Sequence, residues 1–266
     1  MSMISDLMRA AALGVFTLAG TSASAALIDL GFSLDSSGSV AFSDFDTTRA
    51  ALADALAVIP TSGANQYRIA VTSFSDFSST IVSPTIVTAG SLAAIQTSVR
   101  NASYAGGSTN TAGAITTLSD LFATSATGFG ATTLLNITTD GQPNDQAAAV
   151  AAADAALVAG VDGISFEAIG SGVGSPTALA NMAAIAGPGT GIVVGDLSLI
   201  PDATAQGFVI PVSDFDGYSA AISAKIGKIV IDTGGTVPAV PLPAGLPLLL
   251  TGIAGFLGLR IRRRAA

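Results

Sequence analysis

Leu27-Ile28-Asp29-Leu30-Gly31-Phe32-Ser33-Leu34-Asp35-Ser36-Ser37-Gly38-Ser39 is the stretch on which the fold turns. Its first eight residues are mostly apolar and have the character of a buried parallel strand, which ends in an Asp-x-Ser-x-Ser turn. The Ala-rich segment 44–59 that follows reads as a helix. The turn therefore stands at the carboxyl end of a strand, where open α/β sheets bind ligands. Taken alone, such a stretch is also what Asx and Ser side chains make when they merely close a turn.

Working outward, two more pieces join it. Gly106-Gly107-Ser108-Thr109 lies in a loop before a helical segment, and the apolar strand from Leu134 runs straight into Thr139-Asp140-Gly141. Across the chain, apolar segments near 27–34, 67–74, 80–87, 131–139, 163–169 and 207–211 read as strands. They alternate with helical segments near 44–59, 90–100, 110–124, 144–159, 176–186 and 214–227. This alternation predicts an α/β fold: a doubly wound, mostly parallel sheet of six strands with helices on both faces. Segment 80–87 is expected as an antiparallel edge strand, and the Gly-rich residues 187–206 as a long loop. All three motif pieces then meet at one edge of one sheet.

The donor types select the chemistry. Hydroxyl and carboxylate oxygens suit a hard divalent cation such as Mg²⁺, with Mn²⁺ or Ca²⁺ as alternatives, whereas zinc and copper favour nitrogen and sulfur. The chain has no His and no Cys. That excludes His-based triads, cysteine nucleophiles and the usual zinc cages.

With these residues in view, the chain resembles a von Willebrand factor type A domain, a Rossmann-like fold, carrying a metal-ion-dependent adhesion site. The resemblance rests on Asp35, Ser37 and Ser39 in the first loop, Thr109 in the second and Asp140 in the third. It implies that Ser37, Ser39 and Thr109 are direct metal ligands, that Asp35 and Asp140 act largely through water, and that one coordination position is left for an acidic group of a partner.

The flanks read as export signals. Arg9 precedes the apolar stretch 10–19 and the small-x-small Ala23-Ser24-Ala25, so residues 1–25 are expected to be a signal peptide. Residues 242–259 carry no charge and Arg260, Arg262, Arg263 and Arg264 follow, the pattern of a membrane helix over 242–261 with its positive end in the cytoplasm. Val240-Pro241-Leu242-Pro243-Ala244 stands just before that span. The arrangement over 240–266 resembles the VPLPA variant of the PEP-CTERM sorting signals of Gram-negative bacteria, which implies processing by an exosortase. The expected organisation is thus a signal peptide, one domain over 26–231, a linker over 232–240 and a sorting tail.

Residues 26–240 hold 17 acidic and 5 basic side chains, a formal charge of 5 − 17 = −12, which disfavours nucleic acid and anionic lipid. More than 200 residues can bury a core without disulfides. Other features have plain readings. Gly170-Ser171-Gly172-Val173-Gly174 has the wrong spacing and position for a dinucleotide fingerprint. Asp145 is expected at a helix amino terminus, with a role near the metal as the alternative. Asp76 is read as a solvated loop residue or one that tunes the rim of the site.

Together these features predict an exported, non-enzymatic binding module. It would pass through the inner membrane to the cell surface or extracellular matrix, where its cation would engage a carboxylate on a protein or acidic polysaccharide. The alternatives are a structural matrix component stabilised by its metal, and a metal-assisted hydrolase. Glu167, the only glutamate, falls within a predicted strand, which leaves a hydrolase only Asp76 or Asp145 as a base.

Overall fold

The computed structural model describes residues 25–237. Seven strands form one sheet: β1 (Leu27–Asp35), β2 (Gln66–Phe74), β3 (Ser78–Ile86), β4 (Thr132–Thr139), β5 (Gly163–Ile169), β6 (Ile192–Val193) and β7 (Phe208–Val212). Their order is β3-β2-β1-β4-β5-β7-β6, and every pairing is parallel except β2 with β3. The six-strand expectation is corrected to seven. The added strand, β6, lies in the segment read as a loop and pairs through Ile192↔Phe208 and Val193↔Val209. Two residues are too few to leave a period in a sequence.

Six helices cover the faces: α1 (Phe42–Ala55), α2 (Leu92–Arg100), α3 (Thr111–Ala123), α4 (Gln146–Ala159), α5 (Pro176–Ala183) and α6 (Tyr218–Asp232). Strand alternation divides the core between them. Ile28, Leu30, Phe32 and Leu34 of β1 pack with α1, α2 and α6, while Leu135 and Ile137 of β4 pack with α3, α4 and α5. Both faces being covered, the central strands carry apolar residues on both sides, which is why they read as near-continuous apolar runs.

Asp29 interrupts the run in β1, and β2 answers it. Arg68 donates from Nε and Nη2 to the two Asp29 carboxylate oxygens, each at 2.7 Å, and its remaining donors go to Ser125, Thr127 and the Gly128 carbonyl. The pair is buried and its hydrogen bonds are filled, the condition under which an interior ion pair is tolerated.

α6 begins four residues later and ends five residues later than its sequence pattern suggests. Asp214 accepts from the Gly217 amide in a turn that delays the start. At the far end Gly234, with φ +79°, and Gly235 return their amides to Ile231 and Val230 in a Schellman cap. The Thr233 hydroxyl meets Tyr67 Oη at 2.9 Å, so this cap is pinned against the first turn of β2. Among the described residues no helix is long and apolar enough to cross a membrane. Residues 1–24 of the signal peptide expected over 1–25, the expected sorting motif over 240–244 and the expected membrane helix over 242–261 lie outside the described residues.

Candidate metal centre

The strand order reverses between β1 and β4, which run side by side with Leu34 opposite Thr138. A crevice opens at the carboxyl ends of strands at such a switch point. Asp35 closes β1 and Asp140 follows β4, so topology alone brings these two carboxylates together.

The first loop is tied down before it reaches its donors. Both the amide and hydroxyl of Ser36 donate to the Phe74 carbonyl, and the Ser37 amide donates to Asp35 Oδ1 at 2.8 Å. Tyr104 Oη donates to the carbonyls of Ser37 and Val40. Two backbone bonds, Gly38 to Gly107 and Gly106 to Ser36, stitch this loop to the second one.

Asp76 organises that second loop. Its Oδ1 accepts from the Ser108 amide at 2.8 Å and the Ser108 hydroxyl at 2.6 Å. These bonds hold the Asp76 carboxyl below the usual carboxylate range. Gly107 passes over it with φ +101°, and a Cβ there would stand 2.6 Å from Asp76 Oδ2. Only glycine fits both the dihedral and the approach. Asn110 then caps α3 by accepting from the Gly113 amide, leaving Thr109 presented between two anchored neighbours.

In the third loop Thr139 Oγ1 donates to Asp35 Oδ2 at 2.6 Å and accepts from the Gly141 amide. A Cβ on Gly141 would come within 3.1 Å of Thr109 Oγ1 and 3.5 Å of Ser39 Oγ. The absence of a side chain there keeps the donors accessible.

The predicted oxygens converge. Ser39 Oγ lies 2.6 Å from Asp140 Oδ1, Ser37 Oγ 3.0 Å from Ser39 Oγ, and Thr109 Oγ1 3.3 Å from Ser37 Oγ. Neighbouring ligands of an octahedral ion with bonds of about 2.1 Å stand roughly 3.0 Å apart, so the donor set fits a small hard cation. Asp35 lies beneath, 3 % exposed, with both oxygens engaged by Ser37 and Thr139.

Electrostatics points the same way. Burial is the main force raising the Asp35 carboxyl to about 6, with Asp140 adding repulsion and the bonds from Ser37 and Thr139 opposing it. Burial also raises Asp140, against the hydrogen bond from Ser39. Among the described residues the five basic side chains pair elsewhere, with Asp46, Asp29, Asp54, Glu167 and Asp232. Nor do three carboxylates converge anywhere among those residues, so a cation here would be held by a hydroxyl-led set.

Asp145 caps α4 by accepting from the Ala148 amide, as its position predicts, so its side chain is engaged at the helix start and not with Ser37, Ser39, Thr109 or Asp140. Thr139 and Tyr104 are the supporting residues that sequence reasoning passed over. Thr139 stood inside the Thr-Asp-Gly motif, whereas nothing local marks Tyr104.

Comparison with known proteins places this geometry. No curated protein sequence matches the chain. Among solved structures, proximal thread matrix protein 1 from the mussel byssus superposes with a TM-score of 0.55 at 15% identity, covering 76% of this chain and 46% of that one. A form of that protein with a zinc-occupied MIDAS motif gives 0.55 at 16%, with the same coverage. The pilus adhesin SpaC from Lactobacillus rhamnosus GG gives 0.59 at 13%, covering 78% of this chain and 31% of that one. The present chain thus spans less than half the length of these neighbours. The profile described as von Willebrand factor type A domain matches residues 29–206, well over half the chain. The chain belongs to the von Willebrand factor type A domain family.

Proposed function

We propose that Ser37, Ser39 and Thr109, with Asp140 beside them and Asp35 beneath, hold a hard divalent cation through which an exported domain binds acidic groups. One observation carries the reading: Thr109, Ser37, Ser39 and Asp140 form a run at the open end of the sheet in which each side-chain oxygen lies 2.6–3.3 Å from the next, and among the described residues no basic side chain pairs with them. The ion would supply positive charge and a coordination position for a carboxylate of a protein or acidic polysaccharide. The chain supplies the rest. Asp35 and Asp76 orient the two loops, and Gly141 keeps the approach open. Mg²⁺ is the preferred ion on donor chemistry, with Mn²⁺ or Ca²⁺ able to use the same oxygens.

A binding role is favoured over hydrolysis because the candidate bases are engaged. Asp76 holds Ser108, Asp145 caps α4, and Glu167 lies in the core against Lys225. The same fold serves as a pilus adhesin and as a thread matrix protein in the neighbours, so adhesion and matrix assembly are the two uses to separate. The flanking export and sorting signals support a surface or matrix location reached by exosortase processing.

Titration calorimetry with Mg²⁺, Mn²⁺ and Ca²⁺, followed by a polyglutamate or polyuronate probe, tests the reading. Saturable metal binding lost in Ser39→Ala, with probe binding only in the presence of metal, is the expected result. Metal binding with a large rise in thermal stability and no probe binding would favour the matrix role. No metal binding in the folded wild type would overturn both.

A further inference from the structure

The core between the sheet and α6 holds a second chemical constellation. In β4 and β5 the register sets Asn136 opposite Ser165 and Thr138 opposite Glu167, all on the face that α6 covers. From α6, Tyr218 and Lys225 point onto the same patch. Lys225 Nζ lies 2.5 Å from Glu167 Oε1 and 3.0 Å from Ser165 Oγ, and it is directed at Asn136 Oδ1. The Phe208 ring stands 5.2 Å from the Nζ. Lys225 and Glu167 are fully buried and Asn136 is 4 % exposed.

Two features are unusual for a plain ion pair. The Asn136 carboxamide nitrogen has no hydrogen-bond partner although it is buried, and such a donor costs desolvation without return. The lysine charge is fully buried, and burial lowers its pKa despite the opposing pull of Glu167. Condensation of these two groups would remove both the orphan donor and the buried charge.

The geometry points to an intramolecular isopeptide bond between Lys225 Nζ and Asn136 Cγ, formed with Glu167 as the proton-transfer group and with release of ammonia. Glu167 first takes a proton from the ammonium across the 2.5 Å contact, leaving a neutral amine and a carboxylic acid. The amine attacks Asn136 Cγ, forming the new C–N bond. Glu167 gives its proton to the departing amide nitrogen and takes one from the attacking nitrogen, so it ends as a carboxylic acid. The old C–N bond breaks and ammonia leaves. No oxidant or further reactant is needed, and fixed proximity replaces activation of the amide. The link ties the central strand β4 to the last helix, 89 residues on, in a chain with no cysteine for a disulfide.

Mass spectrometry of the full chain tests it. Cleavage before aspartates releases peptide 120–139, which contains Asn136, and peptide 216–231, which contains Lys225. The expected result is a covalently joined pair lighter by one ammonia than the two sequences together. Separate peptides at their sequence masses from folded wild-type protein would overturn the inference. Lys225→Met should abolish the joined species; its persistence would move the bond to Lys228, which lies in the same peptide, and overturn the assignment. Glu167→Gln, with circular dichroism as the folding check, should leave the peptides unjoined. Joining at wild-type extent would remove Glu167 from the reaction.

Discussion

Asp35 is held in two opposed ways, and its protonation reports the balance. Burial raises its folded pKa to about 6 from 3.8, so the proton is bound more tightly in the folded state. Its stabilising effect is present in full below about pH 4 and is lost as pH rises through 6, an effect of ~3 kcal/mol. Metal-free protein should therefore be less stable at pH 7 than at pH 4.5 as far as this residue is concerned, and the Asp35→Asn variant should flatten that slope in denaturant titrations. Metal binding carries the opposite sign. A cation requires the anionic site, so affinity measured by calorimetry should fall as pH drops through 6. At this scale the convergence of Asp35, Ser37, Ser39, Thr109 and Asp140 was legible in the sequence, because each sits in a short motif at one edge of the sheet. Thr139 and Asp76 were less so: their roles depend on bonds to Asp35 and Ser108, formed over 104 and 32 residues.

Among the elements, the loop 106–109 depends on an aspartate that follows β2. Asp76→Ala removes the acceptor for both the amide and hydroxyl of Ser108, so Thr109 loses its support while keeping its side chain. Loss of such an outer partner costs roughly 10–100-fold in metal affinity, and calorimetry should show a decrease in that range with the fold intact. At the other end of the strands, Arg68→Ala leaves the Asp29 carboxylate buried without its cation, with a cost of about 3–5 kcal/mol in denaturant unfolding. The pairing also explains what the strand pattern concealed. Asp29 passes as one polar residue in an apolar run, and its partner lies on a strand 39 residues away. Elements with full periods, β1 to β5 and β7, were readable. The two-residue β6 was not, and the shifted bounds of α6 follow from turn and cap hydrogen bonds rather than from hydrophobic pattern.

Over the whole molecule, charge and topology act together. All five cations among the described residues are engaged, so within those residues the excess of carboxylates has no free cation opposite it. Self-repulsion of that kind is screened by salt, and the melting temperature should rise between about 10 mM and 150 mM ionic strength. A constellation such as Lys225, Asn136 and Glu167 escapes a linear reading for the same topological reason: only the packing of α6 on β4 and β5 assembles it. The pinned cap of α6 has a mechanical consequence. Thr233 meets Tyr67 at the beginning of β2, while the donor oxygens lie beyond the ends of β1 and β4, a nine-residue strand or about 30 Å away. If the proposed partner grips one pole while the chain is held beyond the cap at the other, the pull runs nearly along the strands and loads the fold in shear, so that many bonds resist at once instead of parting one by one.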